Sequence, residues 1–190
     1  MMITPLTLLP SAKFKRVLAF VRLILIFCPF GLCGLALAQS SQQTVDRIKA
    51  AYIYNFAKFT DFPVHEDKTM RLCVLGRDDL NGALQSLNRR MAQGREIVVR
   101  KELAPEQVKD CAMVFVGEAD VRLLSLAARQ LATTPVLLIS DSVQAVNQGA
   151  HLSLIFSDDR VEFDVNLLQL QKSGIRVSSQ MLKLARQVVR

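Results

Sequence analysis

The sequence predicts an α/β domain: a mostly parallel sheet flanked by helices on both faces, with a C-terminal β-hairpin and a closing helix. Three observations predict it. Residues 71–75, 112–116 and 136–139 are short, mostly apolar runs, each followed by a glycine or a Ser-Asp pair and then by helical spacing. That is the pattern of strands buried on both faces and joined by crossover helices. A long amphipathic helix precedes these units. Two apolar or alternating segments around Ser157-Asp158-Asp159-Arg160 follow them, which is the pattern of a hairpin. A chain of 190 residues has room for one domain with a sizeable core and not for two large ones.

Residues 1–38 read as a secretory leader. Lys13, Lys15, Arg16 and Arg22 make a basic start with no acid before Asp46, an apolar run covers 23–37, and Ala36-Leu37-Ala38 is a small-x-small cleavage signal. The run is short for a membrane span, which needs ~20 apolar residues. The expectation is export with cleavage after Ala38, leaving residues 39–190 as the working domain. Cleavage removes four of the 24 basic residues and none of the 17 acids, lowering the net charge from +7 to about +3. So small and scattered an excess excludes nucleic acid, which needs a clustered basic face. Two of the four cysteines leave with the leader, so Cys73 and Cys111 remain, an even count in an exported protein.

Ser40 to Gln43 reads S-x-x-Q, a capping box, and Asp46 complements the dipole of the helix that follows. Val45, Ile48, Tyr52, Phe56 and Phe59 recur at spacings of three and four in one stripe, so this face is expected to pack on the core. Pro63 forbids continuation. A second, weaker side is made of Ala50, Ile53, Tyr54 and Ala57. It is either wedged inside the domain or a surface for a partner or a second copy in a homodimer, because small residues let another helix approach closely.

The units that follow are a strand at 71–75, Gly76 and a helical segment opened by Asp78 and Asp79 and running through Met91; a strand at 96–100; a strand at 112–116, Gly117 and a helix to about Leu131; and a strand at 136–139 with a short turn ending near Gly149. In the hairpin, Val161, Phe163 and Val165 are expected to face inward and Glu162 and Asp164 outward. Asn166 caps a short helix at 167–172 closed by Gly174. Ser178 then caps a last helix with Met181, Leu182, Ala185 and Val189 inward.

Cys73 and Cys111 fall on the first strand of the series and at the start of a later βα unit, where adjacent strands can bring them within bonding range. Bonded, they would contribute about 4 kcal/mol on the chain-entropy model; unbonded, they are small buried hydrophobes. They are not a C-x-x-C pair, which argues against a dithiol oxidoreductase, although reduction of an accessible bridge can alter stability or partner binding. His65 and His151 have no ligand-spaced neighbours and read as packing or surface residues. There is no G-x-S-x-G elbow, and neither Gly76 nor Gly117 opens a phosphate-binding motif. The acids after both glycines sit where an anion would. These patterns assign no catalytic group, no metal and no cofactor. A small-ligand sensor using the crevice at the carboxyl ends of the parallel strands is the competing class.

With its elements in this order, the chain resembles the YfiR family of periplasmic regulators. The resemblance covers nearly all of residues 39–190 and rests on four collinear segments, KAAYIYNFAKFTDFP, RLCVLG, KDCAMVFVG and GAHLSLIFSDDRVEFDVNLLQLQKSGIRVSSQMLKLAR. It departs at Phe62, where the family more often has Trp, and it lacks a further cysteine pair that some members carry near the position of Gly149. The resemblance implies a periplasmic repressor and not an enzyme. It implies binding to the periplasmic region of a YfiN-type inner-membrane diguanylate cyclase, which lowers cyclic di-GMP and so biofilm formation. It also implies release by an OmpA-like outer-membrane lipoprotein of the YfiB type, and a redox-sensitive or fold-stabilising role for Cys73 and Cys111.

Overall fold

The computed structural model describes residues 33–63, 68–77, 80–101, 103 and 105–190, with side chains from Ser41 onwards. It divides into Met1–Ser41 and Gln42–Arg190, and apart from the start of the first helix the second unit holds all that follows. Most of the leader lies outside the described residues, as do His65, Asp78 and Asp79.

In chain order the elements are α1 (Cys33–Phe59), β1 (Thr60–Asp61), β2 (Thr69–Leu75), a 3₁₀ turn at Ala83–Leu87, β3 (Met91–Ala92), β4 (Arg95–Arg100), a 3₁₀ segment at Pro105–Asp110, β5 (Met113–Val116), α2 (Val121–Gln130), β6 (Leu137–Ser140), a 3₁₀ turn at Ala145–Gln148, β7 (Leu152–Ser157), β8 (Arg160–Asn166), α3 (Leu167–Lys172), β9 (Arg176–Val177), α4 (Ser179–Leu184) and β10 (Gln187–Val189). Eight strands form one sheet in the order β3-β4-β2-β5-β6-β7-β8-β10. Neighbours from β4 to β7 are parallel, as are β8 and β10; the β3–β4 and β7–β8 pairs are antiparallel. β1 and β9 make a separate two-stranded antiparallel pair. This is the mixed α/β architecture expected, with a mostly parallel sheet.

Strand alternation divides the core into two layers. Leu72, Val74, Met113, Phe115, Leu137 and Ile139 join Ala50, Ile53, Phe56 and Ala57 of α1 on one face. Cys73, Leu75, Val114, Val116 and Leu138 join Leu124, Ala127 and Ala128 of α2 on the other. A strand buried on both faces cannot alternate in polarity, so these strands read as continuous apolar runs. The hairpin turn places Asp158 and Asp159 at φ 50° and 59°, the left-handed pair that matches the twist of a two-residue loop. Asn166 accepts a hydrogen bond from the Gln169 N–H and Ser178 accepts one from the Met181 N–H, so both expected caps are formed.

Four expectations are corrected. α1 does not begin at Ser40: its first residue is Cys33, and the Ala/Leu-rich stretch there favours helix without a cap. The helix expected through Met91 is only the 3₁₀ turn Ala83–Leu87. Asn81 and Gly82 both take positive φ, a turn signal that overrides the apolar spacing behind it. The closing helix stops at Leu184, with Ala185 extended, and Gln187–Val189 becomes a strand whose Val188 pairs with Val165. The β-branched Val188-Val189 pair suits a strand. Finally, Asp164 does not face solvent. It is buried, and Arg186 grips both of its carboxylate oxygens through Nε and Nη2. The same contact holds the Arg186 pKa above its ordinary value.

Candidate functional site

The two expected cysteines are joined. Cys73 on β2 and Cys111, two residues ahead of β5, form a disulfide with Cα atoms 6.1 Å apart. β2 and β5 are adjacent, with Leu72 opposite Met113, and the Ala112 N–H donates to the Arg71 carbonyl at 3.0 Å. That zipper carries the chain past Cys73 at bonding range. Cys73 is buried among Val108, Val114 and Leu124, and Cys111 is buried in the same layer with its Sγ 3.6 Å from the Gln107 carbonyl. A cavity of about 260 Å³ beside the bridge is lined by both cysteines, Arg71, Arg100, Leu103 and Gln107. Chemically the bridge can exchange with an external thiol, and the nearby guanidinium groups favour the thiolates that exchange produces.

The crevice at the carboxyl ends of the strands is closed by the chain's own groups. β2 has β4 on one side and β5 on the other, so the chain reverses direction across the sheet there, the point where open α/β sheets bind ligands. Here Asp120 accepts from the Arg77 N–H at 2.8 Å, and Asp141 accepts from the Glu118 N–H at 2.8 Å. Backbone donors that a phosphate would use are therefore occupied by carboxylates. Gly76, at φ +83°, is obligatory, because a Cβ there would lie 2.6 Å from Asp120 Oδ2. The other oxygen of Asp141 takes a 2.7 Å salt bridge from Lys49 of α1, buried on both sides. Asp46, one turn earlier, accepts from Gln42 and Asn81. An open cleft of about 510 Å³ alongside is lined by Asp46, Arg47, Asn81 and Ser86, among others.

These contacts overturn the expected orientation of α1. On the side expected either to be wedged inside the domain or to form a partner surface, Ala50, Ile53 and Ala57 are wholly or almost wholly buried on the sheet, which is the wedged alternative. Tyr54 is half-buried and committed: its hydroxyl donates to the Met91 carbonyl at 2.9 Å, and Arg90 stacks 4.0 Å from its ring centroid. The stripe expected to be core is only partly so, with Phe56 buried and Val45 and Tyr52 packed against the core from its margin. Ile48 and Phe59 are 42% and 41% exposed, with only Phe56 of that stripe fully buried. The helix is turned by about 100°, one residue, from the hydrophobic stripe. Small alanines let it sit close to the sheet, and the buried Lys49–Asp141 pair fixes its rotation. Gln93, held at φ 52°, donates to the Ala57 and Thr60 carbonyls and closes the end of the helix before Pro63.

What the rotation exposes is an apolar groove of about 170 Å³ between α1 and α4, lined by Tyr52, Phe56, Phe59, Phe163, Met181 and Leu184, among others. Tyr52, Phe56 and Phe163 form its floor with ring centroids 5.2–6.2 Å apart. Leu184 is 77% exposed. No periodicity pointed to Leu184, because its exposure depends on α4 ending there.

His151 is a buried core residue. Its Nδ1 accepts from the Leu138 N–H at 2.9 Å, and Nε2 lies 2.9 Å from Ser173 Oγ. The single proton of the Ser173 hydroxyl is shared between the carbonyls of Gln169 and Leu170, both 3.1 Å away. Burial lowers the His151 pKa to about 4, since a charged ring would be desolvated and would turn an Nδ1–H toward an N–H. Among the described residues, no group of three or more His, Cys, Asp or Glu could hold a metal ion. No helix among them is long and apolar enough to cross a membrane.

Residues 46–186 match the family model described as YfiR/HmsC-like. Among solved structures, a conserved domain protein from Vibrio cholerae O1 biovar El Tor superposes with a TM-score of 0.50 at 11% identity, over 73% of this chain and 59% of that one. The present chain therefore spans less than two thirds of that protein, and the likeness is one of fold. The ABC domain from Streptococcus pneumonia, crystallised with L-Trp, matches with a TM-score of 0.45 at 10% identity, over 64% of this chain and 56% of that one.

Proposed function

Because the chain belongs to the YfiR/HmsC-like family, a family of periplasmic regulators in cyclic di-GMP signalling, we propose that it represses an inner-membrane diguanylate cyclase by binding the cyclase's periplasmic region. The observation that carries this is the family match across residues 46–186, almost the whole of the folded unit. Export by the leader, with cleavage after Ala38, delivers it to the periplasm. Sequestration by an OmpA-like outer-membrane lipoprotein relieves the repression, and reduction of the Cys73–Cys111 bridge weakens it.

A repressor of this kind needs no bond-making chemistry. It has only to bind one conformation of its target more tightly than another. The closed switch point is in keeping with that reading. Asp120 and Asp141 already hold the backbone donors that an anionic ligand would need, which weighs against a small-ligand sensor using that crevice.

The test is deletion of the gene together with affinity capture by the purified protein. Deletion is expected to raise cellular cyclic di-GMP, and the protein is expected to retain the periplasmic region of a membrane cyclase. Unchanged cyclic di-GMP with no cyclase captured refutes the reading.

A further inference from the structure

We infer that the groove between α1 and α4 docks an amphipathic helix with acidic flanks, carried by the periplasmic region of the repressed cyclase; the identity of that carrier rests on the repressor reading above.

The groove has the shape and composition of a helix-binding site. Its floor is the Tyr52–Phe56–Phe163 aromatic cluster, and Phe59 and Leu184 rise from its walls with 41% and 77% of their surface in water. Ile48, Tyr52 and Phe59 repeat at four and seven along α1, so the stripe runs along the helix axis, and Ile48, 42% exposed, extends the groove by about one turn. Contiguous exposed apolar surface of this kind marks an interaction site, and the recognition mode that fits a long apolar trough is an amphipathic helix.

The charges around the trough choose the occupant. Between Gln42 and Phe59 the charged residues are Asp46, Arg47, Lys49 and Lys58. Asp46 and Lys49 are buried and Arg47 lines the separate cleft beside Asp46 and Asn81, so the charge that α1 shows water next to the groove is Lys58, whose Nζ sits 5.7 Å from the Phe59 ring centroid. On α4 the single charge is Lys183. The acids of the neighbouring β8 are already matched, Asp164 by Arg186 and Glu162 by Arg160; Asp61 lies beyond the helix end. A second copy of this chain would bring the same basic rim and meet like charge. The chain's own leader carries Lys13, Lys15, Arg16 and Arg22 and no acid, so it fails the same condition. An acidic amphipathic helix satisfies both the trough and its rim.

The experiment titrates the full-length processed protein with two labelled amphipathic peptides of about 18 residues, sharing one leucine stripe and flanked either by glutamates or by lysines. The purified periplasmic region of the cyclase is titrated in parallel. The glutamate peptide and the cyclase region are expected to bind, the lysine peptide is not, and binding should weaken as salt rises. Leu184→Asp and Lys58→Glu are each expected to weaken both partners by roughly tenfold or more, with melting temperature unchanged because both side chains lie at the surface. Phe156→Ser, at an exposed apolar residue outside the groove, should leave binding as it is. Equal binding of the two peptides, binding of neither, or self-association that Leu184→Asp abolishes each overturns the inference. Groove-dependent peptide binding without cyclase binding retains the groove and sinks the repressor reading. Cyclase binding untouched by Leu184→Asp does the opposite.

Discussion

Removing the bridge should separate two contributions that Cys73 and Cys111 make unequally. The bridge closes a loop with a sequence separation of 38, which on the chain-entropy model corresponds to about 4 kcal/mol. For a domain of this size that is a fall in melting temperature of roughly 8–16 °C. Cys111→Ser removes the bridge where a serine hydroxyl has the Gln107 carbonyl within reach as an acceptor, the sulfur now lying 3.6 Å from it, and should cost little more. Cys73→Ser also places a hydroxyl among Val108, Val114 and Leu124, where an unpaired polar group costs about 1–3 kcal/mol further. The assay is thermal unfolding followed by circular dichroism, with and without reductant. Wild type should fall toward Cys111→Ser when reductant is added, Cys111→Ser should not move, and Cys73→Ser should stay below both. A wild-type melting temperature indifferent to reductant, with reduction verified by thiol titration, would refute the reasoning.

The Lys49–Asp141 pair should behave as a buried ion pair: Lys49→Met leaves the carboxylate of Asp141 without its cation and is expected to cost about 3–5 kcal/mol in chemical denaturation, while Lys49→Met with Asp141→Leu recovers part of it. A cost below about 1 kcal/mol would place the pair in solvent. His151 predicts the acid side of the stability curve. Its folded pKa of about 4 lies below the ordinary value of 6.5, so between these values the unfolded chain binds more protons. Its contribution is complete above pH 6.5 and falls as pH drops toward 4, by about 2–3 kcal/mol at pH 4.5. His151→Asn should lose stability at pH 7.5 and show less of this decline; a gap between wild type and variant that does not change with pH contradicts the assignment.

The parts of the fold legible in the sequence were those set by local chemistry. Caps such as Asn166 and Ser178, the Asp158-Asp159 turn, and strands buried on both faces are specified by residues next to one another. What was not legible depends on distant partners. Asp164 alternates outward in the hairpin pattern and is buried only because Arg186 reaches it, across an element that the closing-helix expectation did not contain. Lys49 and Asp141 lie 92 residues apart with no spacing that links them. The cysteine pair was accessible because Cys73 lies on one strand that the apolar runs marked and Cys111 directly precedes another such run.

The rotation of α1 connects fold to function. A helix that packed by hydrophobicity alone would bury Ile48, Tyr52 and Phe59, and each side chain so buried is worth about 1.5–3 kcal/mol. The chain instead buries Ala50, Ile53, Phe56 and Ala57 together with a lysine–aspartate pair, so part of the inner face goes to small and charged residues while Ile48 and Phe59 stay outside. That choice is costly for an isolated domain. It becomes favourable if the outer stripe is buried later, against a partner, because the apolar surface withheld from the core is then available to drive association. Turning the helix back by one residue would bury Ile48 and Phe59 at the expense of the Lys49–Asp141 contact. Lys49→Met with Asp141→Leu therefore does more than test stability: by releasing the polar lock it should also weaken binding at the groove, even though neither residue lines it.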